Sequence, residues 1–328
     1  MKSLVTGASG FVGSAVMREL LAAGHEVRVL IRPQSDRRNL QKQPVEIMEG
    51  NLRDRASLER AVTGCDYLFH VAADYRLWIP EPDIMYDTNV RGTQELLLAA
   101  AEAGIKRIVY TSSVATLGVS EDGTLVSEET PSALHMMIGH YKRSKYLAEE
   151  TVRKLTLQNQ LPLVIVNPSA PIGPRDVKPT PTGRIVLDTL LGRMPAYVDT
   201  WLNVVHVDDV ARGHLLAFER GTPGERYILG GENMSLLQIL DTIDELTGER
   251  KYRMRLPHQL VMLSALIMDK WSIISGREPR VTVEGARMAK KKMIYSTAKA
   301  VRELGYQYRP AREALSDAIT WFINNGYL

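Results

Sequence analysis

A short strand-like run, Ser3 to Thr6, passes directly into Gly7-Ala8-Ser9-Gly10-Phe11-Val12-Gly13, after which Val12, Val16 and Leu20 recur at helical spacing up to Gly24. A strand, a glycine turn and a helix in that order aim unpaired backbone N–H groups and the positive end of the helix dipole at one spot, which suits a pyrophosphate. Glycine is needed there because a Cβ would hold the phosphate off the backbone. The spacing is G-x-x-G-x-x-G and not G-x-G-x-x-G, so the strand before it and the periodic helix after it carry the argument.

The first half of the chain continues in the same alternation, the sequence form of a parallel sheet. Strands are expected near Ser3 to Thr6, Glu26 to Ile31, Val45 to Glu49, Tyr67 to Val71, Arg107 to Thr111 and Leu163 to Val166. Helices fill the gaps, one from Phe11 to Ala23 and another from Asn89 to Ala103, each stopped by a glycine. The fold class is therefore α/β, a doubly wound parallel sheet. After Asn167 comes a Pro- and Gly-rich stretch to Gly183, a crossing into a second lobe. Val204 to Val207 and Arg226 to Leu229 again read as strands and are expected to re-enter the main sheet. Residues 1–170 with 201–233 are thus assigned to the dinucleotide-binding body, and 171–200 with 234–328 to a smaller, mostly helical C-terminal substrate lobe.

A length of 328 residues fits that division, and 45% hydrophobic with 24% charged residues is ordinary for a globular chain. Net charge is +3, with positive residues dispersed apart from Lys290, Lys291 and Lys292, so the footprint of a nucleic-acid binder is missing. Cys65 has no second cysteine to pair with and reads as a buried thiol, and the seven histidines lack paired ligand spacing, so no metal is expected. The opening residues run straight into a strand, leaving no room for a targeting peptide, and the cytoplasm is the expected location. Leu260 to Met268 is the most lipid-like stretch, but Asp269 and Lys270 close it far short of the roughly 20 residues of a spanning helix. It is expected to be buried or to line a pocket, with contact at one membrane surface as the lesser alternative. No internal repeat is visible.

At the end of the second strand an acidic residue would bind the adenosine ribose hydroxyls, whereas a cation accommodates a 2′-phosphate. This chain has Arg32 there, with Arg37 and Arg38 on the next loop and Ser9 as a further hydroxyl, which favours NADP(H) while leaving NAD(H) possible. Further on, Gly139-His140-Tyr141-Lys142-Arg143-Ser144-Lys145 opens a helix whose stripe of Tyr141, Lys145, Ala148, Val152 and Leu155 faces inward. Glu149, Glu150, Arg153 and Lys154 are expected to face water. A phenol titrates near 10, too high for acid–base work at neutral pH. An ammonium roughly 6 Å away at an effective dielectric near 20 favours phenolate by about 3 kcal/mol, on the order of two pKa units. The fifth strand ends Tyr110-Thr111-Ser112-Ser113 at the carboxyl edge of the sheet, where Ser113 can hydrogen-bond a substrate oxygen. Ser113, Tyr141 and Lys145 are the candidate catalytic residues.

With these motifs in place the chain resembles an extended short-chain dehydrogenase/reductase, the group that contains nucleotide-sugar epimerases and dihydroflavonol reductases, and the resemblance covers nearly the whole chain. His70-Val71-Ala72-Ala73 resembles that family's fourth-strand end, Asn89 to Thr93 its following helix start, Asn167-Pro168-Ser169 its nicotinamide-side turn, and Val205 to Val210 its late strand signature. His70 to Trp78, Ile138 to Lys145, Val166 to Val198 and Tyr227 to Asn233 are similar to the hopanoid-associated sugar epimerase branch. The resemblance implies a Rossmann-type sheet and cofactor contacts from Gly7, Ser9, Gly10, Phe11, Val12, Gly13, Arg32, Arg37, Asn51, Leu52, Val71, Ala72, Ala73, Asn89, Thr111, Tyr141, Lys145, Pro168 and Ser169. Asn51 departs from the pattern, standing where the family usually has an Asp accepting from the adenine amino group. A homodimer through the helices around Asn89 to Ala103 and Tyr141 to Leu155 is a further family-level expectation.

Three functions stay open at this point. One is an NADP(H)-dependent carbonyl reductase or alcohol dehydrogenase, in which Tyr141 handles the proton and Ser113 holds the oxygen. Another is a nucleotide-sugar epimerase with retained NAD, and a third is a catalytically silent dinucleotide sensor. In each the partner is a small molecule, with Tyr75, Trp78, Ile172, Thr182 and Arg184 as candidate substrate-lining residues.

Overall fold

In the computed structural model, which describes residues 1–119, 123–249, 251–275 and 282–328, twelve strands follow one another in the order β1 (Lys2–Thr6), β2 (Glu26–Ile31), β3 (Val45–Glu49), β4 (Tyr67–His70), β5 (Arg107–Thr111), β6 (Leu163–Pro168), β7 (Ala170–Ile172), β8 (Ala196–Tyr197), β9 (Trp201–His206), β10 (Arg226–Leu229), β11 (Glu232–Ser235) and β12 (Met254–Arg255). The helices are α1 (Phe11–Ala22), α2 (Arg55–Val62), α3 (Pro82–Tyr86), α4 (Gly92–Glu102), α5 (Gly139–Asn159), α6 (Pro181–Leu190), α7 (Val207–Arg220), α8 (Leu236–Thr247), α9 (His258–Ser275), α10 (Val283–Met288), α11 (Ala298–Leu304) and α12 (Ala311–Asn324). Seven parallel strands in the order β10-β6-β5-β4-β1-β2-β3 make the central sheet.

The side-chain period of two decides how that sheet is covered. Leu4, Leu68, Ile108, Leu163 and Ile165 enter one buried core, packed by α2, α4 and α5. Their neighbours Val5, Phe69, Val109, Val164 and Val166 enter the opposite core, packed by α1, α7 and α11. Both faces are thus apolar and helix-covered, the doubly wound arrangement. α1 ends where Gly24 takes φ +81°, and the N–H groups of Gly24 and His25 reach back to Leu21 and Leu20. Cys65 is buried, as expected.

The strands after β6 depart from expectation. β10 occupies the sheet edge beside β6, pairing Arg226 with Ile165, so β9 has no place there. It pairs instead with β7 and β11 in a separate three-stranded sheet. Val204 on β9 belongs to a third core with Ile172, Val186, Ile239, Leu315 and Phe322, while adjacent Val205 belongs to the core of the main body. β9 is therefore a wall shared by these two cores. α11 also crosses over, burying Ala300 and Leu304 in the main core. The helix expected from Asn89 begins instead as a wider π-helical turn over Asp87–Arg91 before α4 takes over.

α9 corrects another expectation. Its apolar run is neither buried nor enclosed: Leu260, Leu263, Leu266 and Ile267 stay exposed, while Ala265 is buried. Among the described residues no helix is long and apolar enough to cross a membrane.

Two buried imidazoles tie the sheet to its helices. His70 on β4 bonds Thr6 through Nδ1 at 2.8 Å and Thr93 through Nε2 at 2.9 Å. On α7, His214 Nδ1 donates to the Val210 carbonyl at 2.8 Å, which leaves Nε2 to accept from the Thr111 hydroxyl at 2.8 Å. Burial pushes His70 down to about 3 and His214 down to about 4, so both are neutral in the folded protein. Unfolded, each takes up a proton near 6.5. Below that pH the unfolded chain binds more protons, so stability present above 6.5 is lost as pH falls towards 4, by about 1.4 kcal/mol per pH unit for each imidazole. Urea unfolding between pH 6 and 4.5 is expected to show this slope, and His214→Gln to reduce it by about one proton; an unaltered slope in that variant contradicts neutral burial of His214.

Candidate active site

The glycine turn is built by close approach. Gly7 has φ +77°, and a Cβ on it would lie 2.8 Å from the Ala72 nitrogen; one on Gly13 would lie 2.2 Å from the Gly7 carbonyl oxygen. Gly10 is different, since only the Gly7 oxygen lies near its Cβ position, at 3.3 Å, and a side chain would stand over the start of α1. No side chain caps that helix and no acid sits in its first turn. Its free N–H groups and bare approach therefore fit a dinucleotide pyrophosphate. Phe11 is buried in the core and Val12 packs against it, so both offer backbone only. Asn39, which sequence reasoning missed, braces the turn by donating to the carbonyls of Ser9 and Arg175 at 3.4 and 3.3 Å.

At the end of β2 the three arginines separate. Arg32 is exposed, and among the described residues its guanidinium has no ion-pair partner, while its backbone N–H donates to Ser35 Oγ. Arg37, expected at the cofactor, is instead paired with Glu49, and Arg38 with Asp36 at 2.7 Å. Asn51 Oδ1 accepts from the Arg53 N–H at 3.1 Å and retains one lone pair. Leu52 is buried, packed where Gly92 lacks a side chain.

Val71 and Ala72 follow β4, their N–H groups donating to Thr6 Oγ1 at 3.2 and 3.1 Å, and half-buried Ala73 comes next. Asn89 is 2% exposed, and its amide is committed within the protein: the oxygen accepts from Asp74 N, and the nitrogen donates to the Asp74 carbonyl and to Ser144 Oγ. It holds the β4 loop to α5 and does not present a free amide to a ligand.

α5 begins after Gly139, whose φ is +82°. Tyr141 is half-buried and Lys145 is 3% exposed, one turn apart on the same face. Lys145 Nζ donates to the Thr111 carbonyl at 2.9 Å and to Tyr110 Oη at 3.2 Å, and lies 4.9 Å from the Tyr110 ring centre. Burial pushes Lys145 down to about 8, against the opposing pull of Glu149. Burial likewise pushes the Tyr141 phenol up from 10, opposed by a hydrogen bond from Ser113. The expectation of a Tyr141 lowered by Lys145 is not met, because desolvation of the phenolate dominates and the ammonium is held by Thr111 and Tyr110. The Ser113 hydroxyl also accepts from Ala115 N at 3.1 Å, which fixes its direction.

Glu149 departs most from expectation. It does not face water but is 3% exposed, beside the ends of β5 and β6 and the start of β10. Beyond it, the Asn167 oxygen and the Ser169 hydroxyl are shut from solvent without a partner among the described residues. Asn167 also donates to the Ser113 carbonyl at 3.0 Å, so these two unmet groups adjoin the catalytic candidates. A nicotinamide carboxamide has the donors and acceptor that such groups require, and Pro168, buried between them, shapes the wall.

The substrate-side residues meet only in part. Tyr75 is 43% exposed and feels both Asp176 and Arg184, which places these three groups together. Trp78 is half-buried on the same loop. The Thr182 hydroxyl donates to the Pro171 carbonyl at 2.8 Å. Ile172 is 1% exposed within the third core, so it backs the wall and does not line the cleft. Asp176, not singled out from sequence, is buried and pushed up to about 6 by desolvation.

Residues 3–230 match the model of the NAD dependent epimerase/dehydratase family. The chain is 46% identical over 328 residues, 99% of its length and 95% of the other, to a putative dihydroflavonol 4-reductase of Synechocystis sp.. It is 36% identical over 330 residues to sterol demethylase protein B of Methylococcus capsulatus, covering all of both chains. The crystal structure of a nucleoside-diphosphate-sugar epimerase from Pseudomonas aeruginosa superposes with a TM-score of 0.79 at 29% identity, over 100% of this chain and 99% of that one.

Gly7→Ala tests the cradle. Positive φ and the 2.8 Å clash with Ala72 oppose any side chain there. We expect a lower melting temperature and a loss of dinucleotide affinity of about tenfold or more in a fluorescence titration. Affinity equal to that of the parent protein would remove the turn from the cofactor site.

Proposed function

The chain belongs to the NAD dependent epimerase/dehydratase family, an enzyme family of extended short-chain dehydrogenase/reductase type, and from that premise we propose that it is an NADP(H)-dependent carbonyl reductase. The observation that carries the proposal is Arg32, an exposed cation at the end of β2 in the place where an acid would bind ribose hydroxyls. Likeness to a putative dihydroflavonol 4-reductase along nearly the whole chain supports the same reading.

When bound, the nicotinamide ring supplies the hydride that reaches the carbonyl carbon. The protein's part is to hold the oxygen and give it a proton. Ser113, directed by Ala115 N, and Tyr141 face the same point and hydrogen-bond the oxygen as negative charge develops on it. A phenol raised by burial is protonated at neutral pH, so Tyr141 is a donor, as reduction requires. The phenolate left behind is held by Ser113 and by the Lys145 ammonium, whose attraction offsets only part of the cost of its burial, until a solvent proton restores it. Lys145 carries its charge below about 8 and loses it as pH rises through that value, so reduction should weaken on the alkaline side.

A second reading, an epimerase with retained dinucleotide, is favoured by the likeness to a nucleoside-diphosphate-sugar epimerase. The two separate cleanly. Reductase function predicts that NADPH binds more tightly than NADH and that Arg32→Asp lowers NADPH affinity by about tenfold or more while sparing NADH. Epimerase function predicts a purified protein that carries NAD and equilibrates a nucleotide-sugar without net cofactor use. Under either, Tyr141→Phe is expected to lower kcat by about 10²- to 10⁴-fold with dinucleotide affinity retained. Tighter binding of NADH by the parent protein would overturn the NADP(H) assignment.

A further inference from the structure

Glu149 stands one helical turn beyond Lys145 and two beyond Tyr141, and the catalytic steps above make no use of it. It is nevertheless among the most heavily bonded side chains of the protein. Oε2 accepts from the hydroxyls of Ser112 and Thr116, the latter at 2.8 Å, and from Asn167 Nδ2 at 3.0 Å. Oε1 accepts from Arg226 Nη1 at 3.0 Å. Arg226 is anchored in turn, donating through Nε and Nη2 to the Glu128 carbonyl, and Glu128 Oε1 accepts from Ile228 N. One carboxylate thus ties α5 to the ends of β5 and β6 and to the start of β10.

Two features distinguish this cluster from an ordinary buried ion pair. Thr116 Oγ1 and Asn167 Nδ2 each lie within hydrogen-bond distance of both Glu149 Oε2 and the Ser113 carbonyl, at 2.9 and 3.0 Å from the latter. A hydroxyl has a single proton, so Thr116 serves one acceptor at a time, whereas the Asn167 amide can serve both. The backbone that carries the Ser113 hydroxyl is therefore held by the partners of Glu149. Second, Glu149 faces the buried Lys145 ammonium along the helix and is the group that opposes its loss of charge. The other groups around Lys145 are Tyr110, the Thr111 carbonyl, His70 and Tyr141, none of them an anion at neutral pH. Glu149 is its counter-charge, with Arg226 on the far side.

We propose that Glu149 is a positioning residue of this active site: its carboxylate fixes the Ser112–Ser113 strand end and supplies the negative charge that Lys145 faces. The proposal rests on the reading of Tyr141 and Lys145 as the proton-handling pair, but its test needs neither cofactor nor substrate. In protein carrying ¹³C-labelled lysine, the ε-carbon resonance of Lys145, assigned by its absence in Lys145→Met, is followed against pH. The parent midpoint is expected near 8. In Glu149→Gln the midpoint should fall by on the order of one pH unit. Glu149→Asp, which keeps the charge, should restore most of it. In Arg226→Gln the opposing cation is gone, and the midpoint should rise. Opposite shifts in the two charge-removing variants are what an electrostatic role produces and a packing role does not. A Glu149→Gln midpoint equal to that of the parent, in protein that remains folded, overturns the proposal. If Glu149→Gln does not fold, Arg226→Gln decides: an unmoved or lowered midpoint there overturns it equally. NADPH titration of the same variants reports separately on the reductase reading, since loss of NADPH preference leaves the lysine titration untouched.

Discussion

Because β1, β4 and β5 pair in parallel, with Thr6 opposite His70 and His70 opposite Tyr110, their carboxyl ends stop within one residue of one another, while β6, with Ile165 opposite Tyr110, runs three residues further to Pro168. The glycine turn, the Val71–Ala73 segment and Ser112–Ser113 all leave the sheet from that edge, and Asn167–Ser169 closes β6 just beyond it. Two cores hold the register. A slip of one residue on β5 would exchange Ile108 with Val109 and turn each towards the wrong set of helices. The geometry of the site is therefore as rigid as the pairing of the strands beneath it, and the helices add only what must reach over the edge: the start of α1 and the first two turns of α5.

Building a site on the wall of a core forces ionisable groups out of water, and the protein answers each in a different way. Lys145 keeps a proton by means of a carbonyl, a phenol oxygen and the Glu149 carboxylate. Glu149 is surrounded by three neutral donors and one guanidinium, the arrangement under which a buried charge is tolerated. His70 and His214 give up their charge and serve as neutral hydrogen-bonding struts. Tyr141 remains a protonated phenol, its pKa raised by the same burial.

Much of this was legible in the chain. β2, β3 and β5 fall where their apolar runs end, and α1 stops at Gly24, because a strand run or a helix cap is settled by neighbouring residues. The Gly7 to Gly13 turn and the Tyr141 and Lys145 pair are local patterns too, so their elements and faces could be read. β9 could not be read in the same way. Its apolar run is as strand-like as that of β10, and the choice between the main sheet and the small one depends on which strand takes the single free edge beside β6. Leu260 to Met268 failed for the converse reason: hydrophobicity marks a stretch as helix-forming and apolar without providing a surface to cover it.

Residue spacing was sufficient for the order of strands and helices, for the glycine turn, and for placing Tyr141 and Lys145 on an inward face. It was insufficient for partners. Arg32, Arg37 and Arg38 look alike as letters, and only the fold brings Glu49 and Asp36 to two of them and leaves the third free of an ion pair among the described residues. Glu149 follows Lys145 by four residues and so shares its face, yet a carboxylate on a helix is ordinarily given to water. Placing it inside required Ser112, Thr116, Asn167 and Arg226, which come from as far as 77 residues along the chain. Periodicity reports which way a side chain points, because that is set by backbone geometry within a few residues; what waits for it there is set by packing between elements distant in sequence, and that exists only once the chain has folded.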